Sequence, residues 1–342
     1  MIHICYGLHD KTGRYSKFVG TSIISIFENT TADVTVHILH DNTLTPDNRD
    51  KFIYIAGRYG QQIKFYNVDQ IAAKEIENFR KNMSQILTSR YTIATLYRIL
   101  LPHIMEKNIG KIIYIDADTI INLDIKEIWN INLENKPLAA VSESSMGLTF
   151  DGINVYLLHA NLVKYENYFN AGFLILNLNY LRENYSTIQN GYNKMCAFVN
   201  EGKHVSWDQD ILNYCFSNDY IKLPTRFNKF VTHARISKSL IPAIYHYVMQ
   251  SLKLDTKDIF NRLYFKYFTK TPWFNEDMFG NISAEILNMH NQHKLDLISL
   301  TKLMAGKCRA FFTESQNAEF VKNIFAVTPE EEFLITPPRA MT

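Results

Sequence analysis

Two aspartates separated by one alanine, Asp116-Ala117-Asp118, follow directly on the apolar run Lys111-Ile112-Ile113-Tyr114-Ile115. A continuous apolar run of that length predicts a strand covered on both faces, and parallel α/β sheets bind ligands beyond the carboxyl ends of such strands. Side chains two apart on an extended segment point the same way, so both carboxylates are expected to reach one cation. Hard divalent ions such as Mg²⁺ or Mn²⁺ take carboxylate oxygens and keep positions open for phosphate oxygens. An isolated Asp-x-Asp is more often a solvated turn. Its place at the end of this strand makes it a candidate metal site.

The segments before it supply the frame. Residues 2–7, 34–39 and 63–67 are short β-branched runs, and the amphipathic stretches 18–28 and 47–58 fall between them. Strand alternating with helix predicts an α/β fold: a mixed, mainly parallel sheet with helices on both faces. Further strands are expected at 137–142 and 170–178, and a helix at 208–216. From residue 251 aromatic and basic residues at helical spacing predict a helical extension over 251–325, and the Pro- and acid-rich end 326–342 reads as a mobile tail. A catalytic domain over 1–250 remains, which suits a chain of 342 residues.

Composition narrows the function classes. Lys and Arg number 36 against 34 Asp and Glu, and a net charge of +2 gives no bulk attraction for nucleic acid. The cysteines, Cys5, Cys196, Cys215 and Cys308, form no C-x-x-C pair. With a start that lacks a basic leader and no apolar run of membrane length, they suggest a cytoplasmic protein. Within 257–274, Arg262, Lys266 and Lys270 mix with Phe260, Tyr264, Tyr267 and Trp273. Such a helix either docks on the main domain or offers a peripheral contact at the inner face of a membrane.

Several strings occur in a fixed order: Leu96-Tyr97-Arg98, Ile113 to Asp118, Tyr168-Phe169-Asn170-Ala171-Gly172, Asp208-Gln209-Asp210, Arg226-Phe227-Asn228 and Tyr245-His246-Tyr247. Over about residues 2–246 this set resembles the retaining glycosyltransferases of family eight, which include bacterial lipopolysaccharide galactosyl- and glucosyltransferases and glycogenin. The resemblance implies a GT-A fold, a UDP-hexose donor, a glycan, glycolipid or glycoprotein acceptor, and Mn²⁺, with Mg²⁺ less effective. It makes His246, otherwise readable as a core histidine, a third ligand beside Asp116 and Asp118. It turns Arg98 toward the donor and places Tyr6, Gly7, Asp10, Ala117, Ala171 and Gly172 around it. Asp10 read alone is an Asx turn, and Lys11-Thr12-Gly13 departs from the Asn-Tyr the family commonly has next. Asn170 and Asp208 are expected on sugar hydroxyls, and Glu143 near the acceptor.

Gln209 stands where a double displacement would need a nucleophile. An amide is a poor one, so same-face departure and attack is expected, with the Gln209 carbonyl stabilising positive charge on the sugar. The lysine that reaches the diphosphate is open among Lys253, Lys257 and the Lys270-Thr271-Pro272-Trp273 string. Two other readings compete. A nucleotidyltransferase would want a glycine-rich phosphate loop, which Gly7-Leu8-His9-Asp10 is not. A sugar-nucleotide-binding protein without catalysis would need none of the intact acidic residues.

Overall fold

The computed structural model describes residues 1–13, 15–83, 92–153, 155–237, 239–248 and 258–274. The chain divides into two compact units, one of Met1–Ser251 with Leu263–Phe274, the other of Leu252–Arg262 with Asn275–Thr342. Most of the expected extension over 251–325, with Lys253 and Lys257, and all of the tail lie outside the described residues.

Seven strands form the main sheet of the first unit. These are β1 (Ile2–Leu8), β2 (Val34–His40), β3 (Gln62–Asn67), β4 (Lys111–Ile115), β6 (Leu138–Ser142), β7 (Phe169–Asn177) and β8 (Ile221–Lys222), in the order β3-β2-β1-β4-β7-β6-β8. Strands β1 to β4 are mutually parallel, and β7 runs antiparallel between β4 and β6. Every residue of β2 is buried, as a central strand requires. Helix α1 (Ser16–Asn29) buries Val19, Ile23, Ile24, Ile26 and Phe27. Helix α2 (Pro46–Tyr59) starts where Thr45 accepts from the Asn48 N–H, has proline in its first turn, and stops at Gly60 with φ +62°.

A second sheet was not legible in the sequence. β5 (Thr119–Asn122) pairs antiparallel with β10 (Ala243–His246), which pairs with β9 (Lys229–Phe230). The small polar residues of α1 stitch β5 down: Ser25 Oγ accepts from Ile121 N at 2.9 Å, and Ser22 Oγ meets Thr119 Oγ1 at 3.0 Å. Asp116-Ala117-Asp118 is therefore a turn between β4 and β5, not an extension of β4. The same-face argument from strand alternation does not apply, and the turn itself converges the two carboxylates.

Residues Leu263–Phe274 dock on this unit. Tyr267 Oη accepts from Asn29 Nδ2 at 2.8 Å, Lys270 pairs with Glu28 at 2.5 Å, and Trp273 lies edge-on to Phe52. Of the two readings of the aromatic stretch, docking is the one this segment adopts. Among the described residues no helix is long and apolar enough to cross a membrane.

Candidate active site

The turn after β4 and the end of β10 meet. Pairing of His246 with Thr119, and a 2.7 Å bond from Tyr247 N to Asp118 O, bring the imidazole beside the turn. One ligand atom each from Asp116, Asp118 and His246 then lies within 4.8 Å of the others. His246 is buried, and its Nδ1 faces Asn228 Oδ1 at 2.9 Å while Nε2 faces Asp118 Oδ1 at 3.1 Å. An amide oxygen can only accept, so Nδ1 carries a proton toward Asn228, and Nε2 donates to Asp118 until it loses its own proton, when its lone pair faces the carboxylates as a metal ligand requires. Burial works against the charged imidazole, but Asp118 and then Asp116 outweigh it and raise the His246 pKa. Two hard oxygens and one imidazole fit a divalent cation.

Gly172 makes room for this. A Cβ there would overlap the His246 ring and come 2.8 Å from Asp116 Oδ2, while the Gly172 carbonyl accepts from Asp116 N at 2.8 Å.

Arg98 lies buried beneath the turn, its guanidinium over the Tyr114 ring at 4.2 Å. Nη2 reaches Asp116 Oδ1 at 2.9 Å, Nε reaches Asp208 Oδ2 at 3.1 Å, and Nη1 donates to Ala171 O. Burial favours the neutral side chain, but Asp116 and Asp208 reverse the sign and raise its pKa. Asp208, desolvated and opposed by Arg98, is pushed up to about 6. Much of the guanidinium is thus spent on orienting Asp116.

From His246 a chain of amides runs inward. Asn228 Nδ2 donates to Asn170 Oδ1 at 2.8 Å, and Asn170 Nδ2 donates to Glu143 Oε1 at 3.0 Å. Gln209 Nε2 donates to Glu143 Oε1 at 2.9 Å and to Tyr168 Oη at 3.1 Å, whose own proton goes to Asp210 at 2.7 Å. The Gln209 oxygen accepts from Ala171 N at 2.9 Å and Asn170 Nδ2 at 3.2 Å. The backbone donor fixes which way the amide faces. In this structure the Gln209 oxygen is thus taken up by protein donors, while its nitrogen is tied to Glu143. Glu143 is buried, and the loss of water raises its pKa.

The match to the family model described as "Glycosyl transferase family 8" runs over residues 4–253. The chain belongs to this family. A Haemophilus influenzae protein described as a glycosyltransferase is 31% identical over 214 residues, 63% of this chain and 60% of that one, so the match spans about three fifths of that relative's length. General stress protein A of Bacillus subtilis is 25% identical over 76% of this chain and 91% of its own. The lipopolysaccharide 1,3-galactosyltransferase of Salmonella typhimurium is 26% identical over 70% of this chain and 67% of its own. The solved galactosyltransferase LgtC, in complex with donor and acceptor sugar analogs, superposes with a TM-score of 0.58 at 18% identity, covering 82% of this chain and 99% of that one. At that identity the likeness is one of fold, and the fold is GT-A.

In this family 8 chain a cavity of about 970 Å³ opens over the turn. Gly7, Arg98, Asp116, Ala117, Asp118, Asn170 and His246 border it. Ala171 and Gly172 stand against it through the contacts above, and Asp208, Gln209 and Glu143 bond to residues that line it. Two expected donor contacts fall elsewhere. Tyr6 is fully buried with its hydroxyl on Ser22 Oγ at 2.8 Å, because an inward-facing position of β1 points into α1. Asp10, 2% exposed, accepts from Tyr15 N at 2.6 Å, Ser16 N at 3.1 Å and Asn48 Nδ2 at 2.9 Å. It ties the start of α1 to the loop after β1 and is not among the residues that line the cavity. Lys270, paired with Glu28, does not line the cavity either.

The wall instead contains residues the sequence reading passed over. Lys11, Thr12 and Tyr15 come from the loop after β1, and His9 joins them with Nδ1 at 2.5 Å from Asp41 Oδ2. The hydrogen bond to Asp41 raises the His9 pKa. Asn228 was also missed as a site residue. Its only signal was membership of Arg226-Phe227-Asn228.

Proposed function

We propose that this family 8 chain transfers a hexose from a UDP-sugar to a glycan, glycolipid or glycoprotein acceptor and keeps the donor's anomeric configuration. The observation that carries this reading is the convergence of Asp116, Asp118 and the Asn228-oriented His246 at the floor of one cavity. A divalent ion held there would neutralise charge building on a departing diphosphate. An imidazole ligand favours Mn²⁺ over Mg²⁺, which prefers an all-oxygen shell. The galactosyltransferase of Salmonella typhimurium among the relatives supports a hexose donor.

The hydrogen-bond pattern favours same-face transfer. Asp208 is bound to Arg98, Asp210 to Tyr168 and Ser206 N, and Glu143 to Asn170 and Gln209. Each carboxylate is occupied in a way a covalent nucleophile is not. The bond from the sugar to the diphosphate breaks, the acceptor oxygen bonds to the same carbon on the same face, and its proton leaves with the diphosphate. Asn170, at the cavity edge, holds a sugar hydroxyl during this step, and Asp208 keeps Arg98 in place.

The test is UDP release across a panel of UDP-sugars with Mn²⁺ or Mg²⁺, with and without glycan acceptors, followed by proton NMR of the product. Acceptor-stimulated release with Mn²⁺ and a retained α-anomer is expected. An inverted product, or equal rates with both ions, overturns the corresponding part of the reading.

A further inference from the structure

The loop after β1 supplies Lys11, Thr12 and Tyr15 to the cavity wall, yet its centre, Asp10, is buried and not among the lining residues. What holds Asp10 is traceable outward through two side chains. Asn48, 3% exposed in α2, donates through Nδ2 to Asp10 Oδ2 at 2.9 Å and to Gly13 O at 3.1 Å. The oxygen of the same amide accepts from Trp273 Nε1 at 2.7 Å. Asn48 thus has both ends of its amide used, and the indole proton decides which end faces the loop. Trp273 in turn is seated by shape: a Cβ on Gly20 of α1 would overlap the indole ring, and Phe52 lies edge-on at 5.1 Å.

On the other side Asp10 N donates to Thr43 Oγ1 at 2.7 Å, and Thr43 bonds Asp41, the partner of His9. A continuous set of hydrogen bonds therefore links Trp273, some 260 residues along the chain from Asp10, to the cavity wall formed by His9, Lys11, Thr12 and Tyr15.

We propose that Trp273 and Asn48 are positioning residues for nucleotide binding: they act through Asp10 to set the loop that meets the donor. The inference rests on the UDP-sugar reading above. It accounts for a buried amide that serves no helix of its own, and it gives the Lys270-Thr271-Pro272-Trp273 string a role that does not involve its lysine.

The experiment compares Trp273→Phe, Asn48→Ala and the double variant in the full chain, measuring UDP affinity by calorimetry with MnCl₂, KM and kcat for the accepted UDP-sugar, and Tm. Phenylalanine removes the Nε1 donor together with the outer part of the indole that packs on Gly20. Loss of one ordinary hydrogen bond corresponds to roughly a fivefold weakening of UDP binding and rise in KM. Expected with it is a kcat within about twofold of the parent, since the effect is on loop position, while Tm falls by a few degrees for the unsatisfied Asn48 oxygen and the smaller ring. Because the two residues lie on one path, the double variant should be no weaker than Asn48→Ala alone. If the parent binds UDP and Trp273→Phe matches it, the relay fails while the donor reading stands. Additive losses, or kcat falling with Tm, also overturn the relay. If the parent does not bind UDP, the donor reading itself fails and takes the relay with it.

Discussion

An alanine at position 172 would put a methyl group where the His246 ring and the Asp116 carboxylate meet. The backbone there has no left-handed φ, so the consequence is steric and local to the triad. Gly172→Ala should lower turnover by about a hundredfold, the scale of a one-ångström misplacement of site groups. Mn²⁺-dependent UDP binding measured beside turnover would show the cause. Full activity in that variant would remove Gly172 from the account of the site. The case also shows what the sequence let one read. Asp116 and Asp118 stood out because they end an apolar strand, and Gly172 because it stands in a string of small residues. Asn228, which selects the His246 tautomer, had no such local mark, and Tyr6 and Asp10 were misplaced because side-chain direction at the end of β1 depends on α1 and α2.

The helix Trp207–Phe216 shows how an element serves the site while carrying strain of its own. Its acid Asp210, fully buried, accepts from Ser206 N at 2.6 Å and from Tyr168 Oη at 2.7 Å. Those bonds favour the carboxylate, but burial, with Asp208 and Glu143 nearby, outweighs them and pushes the pKa up to about 7. A carboxyl whose pKa is raised on folding binds its proton more tightly in the native state. Its contribution to stability is therefore greatest below the unfolded value of 3.8 and is lost as pH rises toward 7. Asp210→Asn removes this titration, so the stability of the parent relative to the variant should fall between pH 5 and about pH 8 in urea titrations. A difference independent of pH would mean that Asp210 is ionised throughout. The elements that were readable, β1 to β4, β6, β7, α1, α2 and this helix, each have five or more residues with a continuous or periodic apolar pattern. β5, β9 and β10, two to four residues each, were not. β5 pairs with β10 across more than a hundred residues, and no window of the sequence contains that pairing.

At the scale of the domain, ligand and fold are linked by mass action. A ligand that binds only the folded chain at a hundred times its Kd stabilises it by about 2.7 kcal/mol. For a unit of this size each kcal/mol moves Tm by roughly 2–4 °C, so saturating UDP with Mn²⁺ should raise Tm by about 5–10 °C. Neither component alone should match the pair. The three carboxylate and imidazole atoms hold an ion best when phosphate oxygens complete its shell, and the diphosphate without the ion meets two carboxylates in a turn. Asp118→Asn withdraws one oxygen from a partly exposed position, so its own Tm should stay close to the parent's while the joint shift disappears. Thermal scans of both proteins with UDP, with MnCl₂, with both, and after chelation measure this directly. If MnCl₂ alone reproduced the full shift and Asp118→Asn kept it, the stabilisation would come from ion binding elsewhere on the surface, and the triad would lose its assignment.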